Sequence, residues 1–398
     1  MLKSTIKKLL RNFGKFLPQL PNNMIVKKFS DPNAHVFFGY YDITPFNYSN
    51  DKILACQVPI KNSSKNIVMD LGYYNLDKNK SKFFKFGETN AWCWQMGPRL
   101  RWLHNDSEFV AYNSLVKKKY VCKLQDLKEQ KAFDVLPLAL YDINKDQSYG
   151  LSLNFSRLQR LRPGYGYKNL LDQTVKLSAP SNDGITLYDF NSRKSELLIS
   201  LFVISKIDSD ETMLNAEHYF NHISFCPFSN TFMFFHLWLK NNRRYSRLFT
   251  YNLETCKYKL ISKNRVSHYA WKSKDQLLIT ESKNKKVFFT LYNVNDGSST
   301  IVGENILNND GHPSFYSMNG IIYDSYPNIF GNQKLFFYDF ETQPKPKSIY
   351  RLFSPPQYTG ENKCDLHPRL SRDKKFICLD SAMSGKREIY IIRLSSTF

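Results

Sequence analysis

NHISFCPFSN (221–230), SHYAWKSKDQ (267–276), GHPSFYSMNG (311–320) and LHPRLSRDKK (366–375) are four copies of one pattern. Each places a histidine second, His222, His268, His312 and His367, and a large apolar residue three positions on, Phe225, Trp271, Phe315 and Leu370. A polar turn follows, and then a strand-like run. The histidines are 46, 44 and 55 residues apart, and each repeat closes on a segment such as LFTYNLE or LFFYDFE. A period of about 40–55 residues holding about four short strands is the signature of a β-propeller blade.

Weaker copies lie upstream. GYYDITPFNYSNDKILAC (39–56) puts Asp42 at the histidine position, GPRLRWLHNDSEFVAY (97–112) repeats the strand–turn–strand rhythm around Trp102, and PLALYDINKDQSYGLSL (137–153) starts another near Leu138. Counting them predicts an all-β, seven-bladed β-propeller over 22–398, or six blades if one weak copy is accidental. The interval from Leu138 to His222 is too long for one blade and predicts an insertion around 154–182.

Composition agrees with a sheet-rich core. Hydrophobic residues make up 42% of the 398, aromatics 15%, with 31 Phe and 25 Tyr, so wholesale disorder is excluded. The net charge of +21 calls for an anionic partner: a phosphate backbone, an acidic lipid surface or an acidic polysaccharide. No apolar run reaches the roughly 18 residues of a membrane-spanning helix. Seven dispersed cysteines without a CxxC argue for a reducing compartment and against finger-type zinc sites.

Residues 1–21, MLKSTIKKLLRNFGKFLPQLP, place Leu2, Ile6, Leu9, Leu10, Phe13 and Leu17 on one helical face and Lys3, Lys7, Lys8, Arg11 and Lys15 on the other. This reads as a short basic amphipathic helix, either lying on an anionic membrane through residues 2–17 or packed on its own domain. The basic residues interrupt any secretory signal, so the expected location is the cytoplasm, including the inner-membrane surface.

Four of the eight histidines share one register position, at the start of the strand expected to be innermost, where side chains from different blades converge. Such imidazoles suit a divalent metal, and Cys364, as a thiolate, could join them; zinc is expected ahead of manganese or calcium. Asp365 and Asp310 are placed to orient the imidazoles. The alternative is a hydrogen-bonded polar channel without metal. His218, in EHYFNHISF, is read as a loop residue at the channel mouth, for proton transfer, substrate contact or neither. Within the insertion, NFSRLQRLRPGYGYKN combines Arg157, Arg160 and Arg162 with Tyr165 and Tyr167, guanidinium forks and phenols that suit a carboxylate, or an arginine-on-tyrosine turn. GxSxG, HExxH and Walker motifs are absent.

Taken in order, HVFFGYYDITPF, NAWCWQMGPRLRWL, LNFSRLQRLRPGYGY, EHYFNHISFCP, VSHYAWK, DGHPSF with YDSYPN, and CDLHPRLSRD closing on KREIYIIRL resemble the propeller polysaccharide lyases related to ulvan lyase and, more distantly, oligogalacturonate lyase. The resemblance spans about residues 35–394. It implies a seven-bladed propeller, a uronate-containing substrate, a divalent metal and β-elimination, in which the sugar carboxylate is neutralised while a base removes the neighbouring proton. His222, His268, His312, His367 and Cys364 then form the metal neighbourhood. His218, Arg157, Arg162, Tyr165 and Tyr167 form the catalytic group, with Arg160, Gln95 and Tyr41 as substrate contacts. Two departures stand out: the first half of the chain holds only His35 and His104, and Pro313 follows His312 where relatives are expected to carry Cys. The expected function is a lyase on an acidic polysaccharide. The alternative is an accessory glycan-binding propeller in bacterial surface-polysaccharide synthesis at the cytoplasmic membrane. Charge alone also admits nucleic acid, which is not the expected partner.

Overall fold

The structure is a computed structural model that describes residues 10–11, 14–16, 25–60, 67–77, 82–103 and 108–394. The basic helix expected over 1–21 lies outside them except at 10–11 and 14–16, where Arg11 donates from Nε to the Ser354 carbonyl at 3.0 Å. Among the described residues there are seven antiparallel four-stranded sheets, the blades of a β-propeller, and the six-blade alternative is discarded.

The blades follow the sequence period because one turn recurs in it. Where the third strand of a blade hands over to the fourth, an Asx side chain accepts the amide two residues on: Asp126 from Lys128 (2.8 Å), Asp189 from Asn191 (2.8 Å), Asn252 from Glu254 (2.9 Å), Asn293 from Asn295 (2.9 Å) and Asp339 from Glu341 (3.0 Å). The middle strands are buried on both faces, which is why they read as continuous apolar runs and not as alternation. Thr231–Lys240 is buried over its first eight residues, and Phe234 stacks on Phe249 of the adjacent strand at 5.4 Å.

By their contacts the residues form two units. The first (Met1–Tyr112, Lys123–Asp134, Asn309–Phe398) contains the blade Ala34–Thr89, the blade Ser314–Phe353, and the closing blade. In the closing blade Ile25–Phe29 pairs antiparallel with Glu388–Arg393, so strands from both ends of the described chain share one sheet. Arg387 fixes this closure from within: its guanidinium lies 5.0 Å from the Phe37 ring and 4.7 Å from Trp94, and it donates to the Lys363 carbonyl at 2.8 Å.

The second unit (Asn113–Cys122, Val135–Asn308) contains the blades Asp142–Ser200, Glu217–Ser262 and Arg265–Val302. Residues 153–183, including helix α1 (Phe155–Leu161), separate the second and third strands of the first of these. Helix α2 (Leu201–Lys206), capped by the Ser200 hydroxyl on the Val203 amide at 3.1 Å, begins a further excursion that ends at residue 216.

A directional hydrogen-bond chain ties that excursion down. Arg247 donates to the carbonyls of Ile204 (2.7 Å), Ile207 (2.7 Å) and Asp208 (3.2 Å), and from Nε to His236 Nδ1 at 3.0 Å. Because His236 Nδ1 accepts, its Nε2 carries the proton and donates to His218 Nδ1 at 2.9 Å, and His218 Nε2 donates to the Met213 carbonyl at 3.1 Å. The imidazoles stack at 5.0 Å. An added proton on either ring breaks the chain. Burial, with Arg247 adding to it, lowers His218 from 6.5 to about 4, and burial, then His218 and Arg247, hold His236 well below its ordinary value. The unfolded chain therefore binds more protons below pH 6.5, and stability falls as pH drops from there towards 4. Denaturant titrations across this window should show that loss, and His236→Gln should cost about 2 kcal/mol at neutral pH and flatten the slope.

Candidate functional site

Two of the repeat histidines meet in the first unit. Both are followed by proline, and the inner strands they introduce are only two residues long, Ser314–Phe315 and Arg369–Leu370. Their amides are therefore outside the sheet ladder, and one carboxylate takes both. Asp324 accepts the His312 amide on Oδ1 at 2.8 Å and the His367 amide on Oδ2 at 3.1 Å. Its Oδ1 also accepts His312 Nδ1 at 2.8 Å, which leaves Nε2 as the basic nitrogen.

His367 is held from the other side. Its Nδ1 donates to the Gly39 carbonyl at 2.8 Å, and Arg369 donates to the same oxygen at 2.9 Å. Gly39 has φ +146°, and a Cβ there would come within 3.0 Å of the Met96 carbonyl oxygen, so glycine is required for this carbonyl to be presented. Arg369 is paired with Asp380 at 2.9 Å, and Asp380 accepts the Phe38 amide at 3.3 Å.

The imidazoles of His312 and His367 are perpendicular, with centroids 4.5 Å apart, and are walled by Tyr40 and Tyr41. Asp365 Oδ2 lies 4.0 Å from His367 Nε2. The three groups offer ligand atoms within 4.8 Å of one another, and all three residues are buried. Buried Nε2 of His367 makes no hydrogen bond among the described residues. Burial first, then His312, Arg369 and Lys363, hold the His367 imidazole well below its ordinary value, so it stays neutral. A neutral imidazole with its other nitrogen anchored, facing a second imidazole and a carboxylate, fits a divalent metal ion.

Several expectations are corrected. Cys364 packs with Tyr358 and Ala382, and burial pushes its thiol up to about 12, so it offers no thiolate to a metal. Asp365, expected to orient an imidazole, stands among the candidate ligands instead, and Asp324 does the orienting. His222 and His268 belong to the second unit. His268 is buried in Arg265–Trp271, opposite Thr280, and His222 lies against Tyr165 (5.8 Å), Phe235 (5.2 Å) and Tyr269 (6.0 Å). His218 is a buried strand residue within the hydrogen-bond chain and is not at a channel mouth.

Arg157 is turned inward on α1. Its guanidinium donates to the carbonyls of His218 (2.7 Å), Thr174 (3.1 Å), Leu177 (2.9 Å) and Ser178 (2.8 Å) and to the Thr174 hydroxyl (2.9 Å). It is 1% exposed and cannot reach a substrate. Arg160 is taken by Asp172 (2.9 Å) and Glu217 (2.6 Å). Tyr167 is fully buried, stacked on Phe155 at 4.4 Å and bonded to Asn113 Nδ2 at 2.8 Å. Gln95 is also buried, and donates to the Lys363 carbonyl at 2.8 Å.

Arg162 and Tyr165 remain together in the second unit, with the guanidinium 4.2 Å from the ring centroid. They are joined by two residues that sequence reading missed. Burial raises the Tyr219 hydroxyl, and the nearby guanidinium groups of Arg162 and Arg244 act against that rise. The available signal was the arginine pair in NNRRYSRLF, whose members alternate across the strand Arg243–Asn252.

No protein-family model and no curated protein matches the chain. Among solved structures it is similar to an oligogalacturonate lyase in complex with manganese, with TM-score 0.66, 12% identity and 93% of each chain covered. It is also similar to an oligogalacturonate lyase from Vibrio parahaemolyticus, with TM-score 0.64, 11% identity and 93% and 94% covered. An acylaminoacyl peptidase from Pyrococcus horikoshii reaches TM-score 0.53 at 10% identity, over 92% of this chain and 52% of that one. At these identities the likeness is one of fold.

Because Arg157 holds four carbonyls, Arg157→Met leaves them unsatisfied in the interior and should lower stability by about 3 kcal/mol. The fold of the first unit, with His312, His367 and Asp365, should stay unchanged. Thermal unfolding and the near-ultraviolet circular dichroism spectrum of the same preparation check both.

Proposed function

We propose that the protein is a metal-supported lyase acting on an acidic, uronate-containing oligosaccharide or polysaccharide. The observation that carries this reading is the buried group His312, His367 and Asp365, with His367 Nε2 unsatisfied and Nδ1 anchored on a glycine carbonyl. The likeness in fold to an oligogalacturonate lyase in complex with manganese supports it. Manganese takes the place of zinc as the first ion to test. Cys364 offers no thiolate that would favour zinc, two imidazoles with one carboxylate can hold either ion, and the solved structure of similar fold is in complex with manganese.

His312, His367 and Asp365 would hold the ion. Bound there, a divalent cation supplies positive charge to a uronate carboxylate, which makes the adjacent C–H more acidic. In the second unit, Arg162 and Arg244 lie beside the Tyr219 phenol and are guanidinium groups of the kind that recognise a carboxylate. Within that same unit, Tyr165 and His222, in contact with each other, are groups of the kind that transfer protons. In β-elimination the base takes the proton beside the carboxylate, the electron pair forms the ring double bond, and the glycosidic oxygen leaves with a proton.

The full chain, dialysed against manganese(II), should retain about one ion per chain, and His367→Ala should retain none. With oligogalacturonides it should generate unsaturated products seen by ultraviolet absorbance, and Arg244→Ala should lower kcat/KM about a hundredfold. Binding of uronides without unsaturated product would replace the lyase with the accessory glycan-binding reading. Absence of both metal and product would overturn the proposal.

A further inference from the structure

The candidate metal site already contains a cation of its own. Lys363 Nζ lies 2.7 Å from Asp365 Oδ2, the same oxygen that faces His367 Nε2 at 4.0 Å. The Asp365 side chain is 2% exposed, so its charge needs a partner, and the lysine, at 27%, reaches it from the solvent side. The ammonium also lies 4.8 Å from the Tyr326 ring, whose centroid is 5.9 Å from that of His312.

The lysine backbone is clamped. Its carbonyl accepts from Gln95 Nε2 at 2.8 Å and from the Arg387 guanidinium at 2.8 Å. The main chain therefore holds its place, and only the flexible side chain is available to move.

We propose that Lys363 is an internal counter-cation that competes with the metal ion for Asp365 and so sets the affinity of the site. The inference rests on the metal reading above. An ammonium and a divalent ion sharing one buried carboxylate oxygen repel each other strongly in a site of low polarity. When the ion binds, the lysine swings off the carboxylate on its fixed backbone. When the ion leaves, the lysine returns and keeps Asp365 from standing as an uncompensated buried charge. Lys363 is thus a positioning residue: it weakens the ion's hold and stabilises the protein without the ion.

The test uses the full chain, stripped with chelator and titrated with manganese(II) chloride by calorimetry. Lys363→Met and Lys363→Gln should both bind manganese about tenfold more tightly than the unaltered protein. Lys363→Arg, which keeps the charge, should not. In chelator Lys363→Met should unfold at a lower temperature than the unaltered protein, and saturating manganese should remove that gap. A merely structural lysine would lower the unfolding temperature without tightening the ion. Unaltered protein that binds manganese while both neutral variants bind it equally or more weakly would overturn the inference and leave the metal reading intact. Unaltered and neutral variants that all fail to bind manganese would overturn both.

Discussion

Asp324 is the group on which the candidate site depends. A carboxylate accepts in several directions at once, and this one accepts the amides of two histidines from successive blades and the ring nitrogen of one of them. Deleting it would release both backbones and the orientation of His312 together, so its effect on the site exceeds that of any single ligand. A buried carboxylate is costly unless fully hydrogen-bonded, and here the donors include the candidate ligand residues themselves. The cost of burying Asp324 and the geometry of the site are therefore one interaction.

The surroundings repeat the device with different partners. Asp380 accepts the Phe38 amide and is bridged by Arg369; Asp42 is bridged by Arg99 through two bonds of 3.0 and 2.9 Å. Asp365 is met by Lys363. Asp42 and Asp380 are held by forked guanidinium groups, whereas Asp365 is held by a single flexible ammonium. Arginine forks fix a carboxylate in plane, and a lysine holds it as a point charge that can be withdrawn. The group that would have to change partners is thus the one with the exchangeable partner.

Much of the architecture was legible because blades repeat. The period of the histidines, the apolar residue three positions on and the Asp or Asn at the third turn report the same strand order in each blade, and the double burial of middle strands explains their unbroken aromatic runs. Side-chain direction was less legible. Arg157, Arg160 and Arg162 look equivalent as a cluster, yet on the short helix Phe155–Leu161 Arg157 falls on the buried side beside Leu158 and Leu161. His218 reads as a loop residue because the strand is expected to open at His222, whereas it begins at Glu217 and pairs His218 with Trp238. Arg244 and Tyr219 meet from different strands, and no local pattern connects them.

The histidines themselves held a distinction that spacing alone overlooks. His312 and His367 precede proline, whereas His222 precedes Ile223 and His268 precedes Tyr269. Proline cannot donate to a sheet ladder and restricts the residue before it, so a His-Pro copy delays the start of its strand. The two His-Pro copies introduce strands of two residues, and the other two lie inside strands of nine and seven. A histidine inside the strand has its backbone engaged there, His268 opposite Thr280 and His222, in the bulge, with its amide on the Tyr141 hydroxyl at 3.1 Å, and the His222 ring packs on Phe235 and Tyr269. A histidine ahead of the strand has an amide free to find a carboxylate. The residue after each histidine thus separates the copies that build the Asp324 site from those that extend the blade.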